Sequence, residues 1–168
     1  MSSKRTQGLS EVAQKINDVS SEVAAKRKAL AVERMKGLQE RLYVMMLFAA
    51  IGSKGSAETA AQVAKEIAAT VKDYADASGT TTTDAGGINQ ADENFLGLAK
   101  ALSYQVKAII SFEAAKTKFP EKHSAAIYQM DTAINDAEKS LHRDQMASLY
   151  TFDGSTLALL QSHFSASA

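Results

Sequence analysis

Apolar residues recur at every seventh position through the first part of the chain. Leu9, Ile16, Val23 and Leu30 form one line, and Val12 and Val19 form a second beside it. Seven residues make about two turns of helix, so both lines lie on one seam of one helix. The seam sits among Lys, Glu and Arg and leads into the unbroken apolar run LYVMMLFAAI, Leu42 to Ile51. The pattern predicts a helix from about Gln7 to Ile51, roughly 65 Å long at about 1.5 Å per residue. Past Leu30 the line breaks, and Met35, Leu38, Leu42 and Met45 resume it in a shifted frame, as a coiled-coil stutter would.

Gly52-Ser53-Lys54-Gly55-Ser56 ends this helix, and Ser56 is placed to cap the next one. A second helix is predicted from about Ala57 to Ala77, with Ala60, Val63, Ile67, Val71 and Tyr74 on one face and small residues (Ala61, Ala64, Ala68, Ala75) allowing close approach. Residues 78–88, with four threonines between glycines, predict a flexible loop. Asn89 is a suitable cap for a third helix, which carries Asp92 and Glu93 in its first turn and the stripe Phe95, Leu102 and Ile109 with Ala99 and Val106. Pro120 predicts the first turn of a fourth helix, striped by Ile127, Ile134 and Leu141 with Met130 and Ala137. Asp153-Gly154 reads as a turn and Ser155 as a cap for a short apolar helix, Leu157 to Leu160 with Phe164. No stretch alternates with the period of two that a strand requires. The expectation is all-α: an elongated antiparallel bundle in a single domain, 1–168, whose segment 1–36 projects or oligomerises.

Composition narrows the class. At 168 residues, 45% hydrophobic and 23% charged, the chain can bury a core and is not of disordered composition. It has no cysteine, which excludes disulfides and thiolate chemistry. The net charge is zero but uneven: residues 1–41 carry nine Lys/Arg against five Asp/Glu, and the remainder ten against fourteen. A basic first helix and an acidic remainder attract each other, within one chain or between copies. The imbalance is too small to point to nucleic acid. The polar start MSSKRTQGLS is not a secretory signal, and the ten-residue apolar run falls short of the about 20 residues that a spanning helix needs. The expected location is cytoplasmic, or exported without a signal peptide.

Catalytic groups are sparse. The histidines are His123, His142 and His163. Glu138 and His142 are four apart on one helix face, with Asn135 and Asp131 one and two turns earlier, but a metal site in a bundle draws converging ligands from several helices. An exposed pair is the expectation there, with no metal and no cofactor. No Gly-x-Ser-x-Gly elbow, dinucleotide fingerprint or phosphate loop is present, and Gly52-Ser53-Lys54-Gly55 follows a helix rather than a strand. Tyr104, Phe112, Tyr128, Tyr150 and Phe152 are expected to be packing residues. The run Leu42–Ile51 has no Lys or Arg, and a helix apolar all round is one buried on every side. Core or oligomer interface is therefore favoured over peripheral membrane contact.

Absent cysteine, richness in Ala, Ser and Thr, terminal heptads and a polar loop between helices give the chain a general character similar to the helical subunits of bacterial secreted filaments, such as flagellins and type III secretion filament proteins. That resemblance carries over no functional position. The residues themselves point to a non-enzymatic structural or interaction protein. It would self-assemble or hold a helical partner through Leu9, Val12, Ile16, Val19, Val23, Leu30, Leu42, Met45, Met46 and Phe48. The alternative is a small helical binding module or regulator acting on another protein or a membrane surface.

Overall fold

Four helices and no strand form from the residues that the computed structural model describes, 3–52, 54–79, 90–116 and 122–150. They are α1 (Ser3–Ala50), α2 (Ser56–Ser78), α3 (Gln90–Ala114) and α4 (Ser124–Tyr150). The chain is an all-α bundle with a long N-terminal helix, as the periodicity predicts. Asn89, most of the Thr-rich segment, Pro120, the Asp153-Gly154 turn, the short helix expected at Leu157–Leu160 and His163 lie outside the described residues.

α2 is the hub. It touches α1, α3 and α4, and α3 likewise touches the other three, whereas α1 and α4 have no contact among the described residues. The cross-section is therefore a rhombus with α2 and α3 on its short diagonal. The composition of α2 explains this. Twelve of its 23 residues are buried, and Ala57, Ala60, Ala61, Ala64 and Ala77 are among them. Small side chains over more than one face let neighbouring backbones approach closely, while Val63, Ile67, Val71 and Tyr74 fill the space between them. The predicted stripes of α3 (Phe95, Ala99, Leu102, Val106, Ile109) and α4 (Met130, Ile134, Ala137, Leu141) are buried against it, with Ile127 half-buried.

Ion pairs set the register. Arg34 reaches Asp73 at 3.3 Å and Arg41 reaches Glu66 at 2.8 Å. The members are seven residues apart on each helix and in opposite order, which fixes α1 and α2 as antiparallel. Lys100–Glu138 at 2.6 Å and Lys107–Asp131 at 2.8 Å do the same for α3 and α4. Such exposed pairs contribute only ~0–1 kcal/mol each, so they select alignment more than they add stability. With Lys28–Asp92, the Arg34 and Arg41 pairs also show the basic first helix reaching acidic residues of its own chain.

The α1–α2 connection departs from expectation at Ser56. The turn is made by Gly52 and Gly55, both in the left-handed region (φ 83° and 90°), where a side chain would be strained. The N-cap of α2 is Gly55, which has no side chain to offer, and Ser56 is the first helical residue. The free N–H groups of this helix start are taken from across the bundle instead. Gly55 N–H donates to Glu113 Oε1 at 3.1 Å and Ala57 N–H to Glu113 Oε2 at 2.5 Å. A carboxylate there is also favoured by the helix dipole. Because Glu113 is at the end of α3, the cap ties the third helix to the first turn of the second.

Two substitutions test this architecture. Ala64→Leu forces a branched side chain into the hub and should lower stability by about 1–3 kcal/mol. Glu113→Ala removes the cross-bundle cap and should cost ~1 kcal/mol. Denaturant midpoints of the two variants against the native chain give both values.

Candidate functional site

α1 carries two apolar seams, not one that shifts phase. Met35, Leu38 and Leu42 are buried in the bundle, with Ala31 and Ala49 on the same face and Met45 half-buried against it. Leu42, predicted from the sequence as an interface residue, is fully buried inside its own chain. The seven-residue spacing places this inward face about a quarter-turn or more around the helix from the line of Ile16, Val23 and Leu30. The outward line does not turn inward after Leu30. It continues through Gly37 to Val44 and Ile51 in the same seven-residue frame, and both of those are exposed.

Val12, Ile16, Val19, Val23 and Leu30 have between 51% and 63% of their surface open. Every residue from Ser10 to Ser20 is exposed, and among the described side chains of α1 the first buried one is Ala24. Some twenty residues, ~30 Å of helix, therefore project past the body. Leu9 belongs to the helix and to this line, but its side chain is outside the described residues. Gly37 lies within the continuous α1, so the N-terminal part does not fold back over its own seam.

Of the two expectations for the apolar run at the far end of α1, core or oligomer interface, the structure removes the first for most of it: Tyr43, Val44, Met46, Leu47, Phe48 and Ile51 are all exposed in the single chain. α2 and α3 cover only the face of Leu42, Met45 and Ala49. Val44, Met45 and Phe48 line a groove of about 520 Å³ with Gly55, Ser56 and Thr59 of the α2 start. Phe112, Tyr104 and Tyr128 are exposed too, correcting their reading as packing residues. The side chain of Tyr150 and all of Phe152 are outside the described residues. The outer face of α1 is thus apolar at both ends and polar between, where Lys26, Glu33 and Glu40 occupy the second line.

At the base of the projection a polar cluster joins three helices. Tyr74 of α2 stacks on Phe95 of α3 with ring centroids 3.8 Å apart and planes 7° apart. Its hydroxyl donates to Asp92 Oδ1 at 2.6 Å, and Lys28 of α1 donates to the same oxygen at 3.2 Å. The Lys28 ammonium also stands 5.2 Å from the Tyr74 ring centre. Both charged side chains are largely buried. Burial first, then the hydrogen bond to Asp92 and the charge of Asp92, push the Tyr74 phenol above the usual tyrosine range. The arrangement holds the helix where the projection leaves the body. The sequence reading placed Tyr74 on the correct face but did not find its partners. The available signal was an aromatic hydroxyl at a core position, which needs an acceptor, together with a carboxylate in the first turn of α3.

Glu138 and His142 do not converge on anything. The Glu138 carboxylate takes the Lys100 ammonium, and His142 Nδ1 lies 2.7 Å from the Glu138 carbonyl oxygen. Among the described residues no three His, Asp or Glu gather in a group fit for a metal ion, and no helix is long and apolar enough to cross a membrane. Compared with known families, curated proteins and solved structures, the chain matches none.

Tyr74→Phe keeps the ring stack and removes one hydrogen bond from an Asp92 that retains Lys28. It should cost ~1–2 kcal/mol at neutral pH. A phenol whose folded pKa is raised contributes stability that is intact below about pH 10, the unfolded value, and lost as pH rises toward the folded one. From about pH 10 upward the native chain should therefore lose more stability than Tyr74→Phe does, measured by denaturant unfolding at each pH.

Proposed function

We propose that this protein is a non-enzymatic interaction protein that associates through the outward seam of α1, with self-association as the primary mode. The observation that carries the reading is the projecting heptad line Val12, Ile16, Val19, Val23 and Leu30, exposed by its own chain along its whole described length. Full burial of such a side chain is worth ~1.5–3 kcal/mol, and about half of each is still open, leaving roughly 1 kcal/mol per residue to be gained. That exceeds what the exposed ion pairs of this surface contribute, so the seam supplies affinity and the charges around it supply selectivity. Membrane binding is disfavoured by the same line, because its aliphatic residues are interrupted by Lys26, Glu33 and Glu40 rather than widened into a broad apolar face.

The second exposed block, Val44, Leu47, Phe48 and Ile51, supports a larger assembly. A chain with two apolar blocks on one helix has more than one contact to satisfy, as a subunit of a filament or secretion apparatus does. In that reading Met46 and Phe48 act with this distal block, and Met45 lines the groove beneath it. A monomeric helical binding module is the second reading, favoured by the groove between the end of α1 and the start of α2.

Sedimentation equilibrium distinguishes them. The native chain should show a mass that rises with concentration above the 17.9 kDa of one copy. Ile16→Asp with Val23→Asp should lower that mass at every concentration by removing the seam contact, with the thermal midpoint of the body unchanged because neither residue is buried in it. A native chain that stays monomeric at all concentrations leaves the seam to a different protein. A double variant that unfolds cooperatively would show the seam to be internal.

A further inference from the structure

We infer that the occupant of the projecting seam is a second copy of α1 running antiparallel to the first, centred between Ile16 and Val19. This rests on the self-association reading and adds the orientation and register of the pair. Along the seam Ile16, Val23 and Leu30 hold one heptad line and Val12, Val19 and Lys26 the other. The positions immediately before the first line flank it, and in the projection they are Lys15 and Glu22, both exposed.

Parallel, in-register pairing sets each residue against its own copy. Lys26 would meet Lys26 and Glu33 would meet Glu33 in the seam, two like-charge contacts where apolar contact is required. Antiparallel pairing sets one line against the other. In the register that places Ile16 opposite Val19, Val12 falls opposite Val23 and Lys26 opposite Leu9, so no two like charges meet in the seam, and two-fold symmetry repeats each contact. Lys15 of each copy then flanks Glu22 of the other, an opposite-charge pair formed twice. Sliding by one heptad in one direction sets Glu22 against Glu22, and in the other Lys15 against Lys15. Of the three antiparallel registers that keep the seam closed, only this one is electrostatically complementary.

Steric fit agrees with the charges. Where one copy reaches Ala24, its first buried residue among those described, the other has reached Glu11. The bodies then sit at opposite ends of a shared exposed segment of ~20 Å. Glu22 holds Lys26 within its own helix at 2.7 Å, an exposed contact that leaves its second oxygen for Lys15 of the other copy.

Charge reversal in the full chain tests the register. Lys15→Glu should weaken association roughly tenfold by sedimentation equilibrium, as two attractive exposed pairs become repulsive. Lys15→Glu with Glu22→Lys should recover it to within about twofold, and an equimolar mixture of Lys15→Glu chains with Glu22→Lys chains should associate as the native protein does. The native chain lacks cysteine, so engineered thiols report orientation without background. Ile16→Cys chains mixed with Val19→Cys chains and oxidised should yield the mixed disulfide, identified by mass. A native chain that stays monomeric overturns the association reading itself. An associating chain that gives only same-position disulfides, or in which Lys15→Glu changes nothing, preserves that reading and overturns the antiparallel pair.

Discussion

A helix of 48 residues cannot be covered along its length by helices of 23, 25 and 27. This mismatch governs the rest of the molecule. The bundle can shield about one half of α1, and it does so with the seam of Ala31, Met35, Leu38 and Leu42. The remaining half has no tertiary support from the described helices, and an isolated helix of about 20 residues is marginal in water. It persists because it continues a helix already nucleated in the body, and because the Lys28–Asp92–Tyr74 cluster holds that helix where the support ends.

Cohesion within the body comes from smallness more than bulk. An Ala-rich α2 brings three neighbours within reach of one another, and the larger residues Ile67, Val71 and Tyr74 fill what remains. The consequence is a short diagonal between α2 and α3 that keeps α1 and α4 apart. α1 therefore has two helical neighbours instead of three, leaving the outer part of its circumference open. The same packing that stabilises the body thus exposes the distal apolar block at Val44, Leu47, Phe48 and Ile51.

Much of this was legible in the sequence, and the failures share a cause. The helices, the buried stripes of α2, α3 and α4, and the outward seam at Val12 to Leu30 follow from periodicity, which is a local property. Assigning Leu42 to the interface, deciding whether the run Leu42–Ile51 is core or interface, and expecting Ser56 to cap α2 all required knowing which neighbour lies where. Short connections identify consecutive helices as neighbours but do not say which helices close the bundle. Glu113 caps a helix that starts more than fifty residues earlier, and no spacing rule within α3 marks it. The pairs Arg34–Asp73 and Arg41–Glu66 could have been found by matching charges seven apart on two adjoining helices in opposite order. That match becomes decisive only once the antiparallel alignment is assumed.

The division of labour along α1 follows from where its charges stand. Within the body, Arg34 and Arg41 flank the outward line and are turned to acids of α2. In the projection, the corresponding flank carries Arg27, Ser20 and Ala13, and all three are exposed. The opposite flank carries Lys15 and Glu22, whose signs alternate over one heptad. Alternation of that kind is indifferent to a lone helix, since residues seven apart on one face are ~10 Å apart and screened from each other. It becomes selective only when a second helix brings the two positions together. The apolar line makes association favourable in any register, and the alternating flank gives one register an advantage over its neighbours.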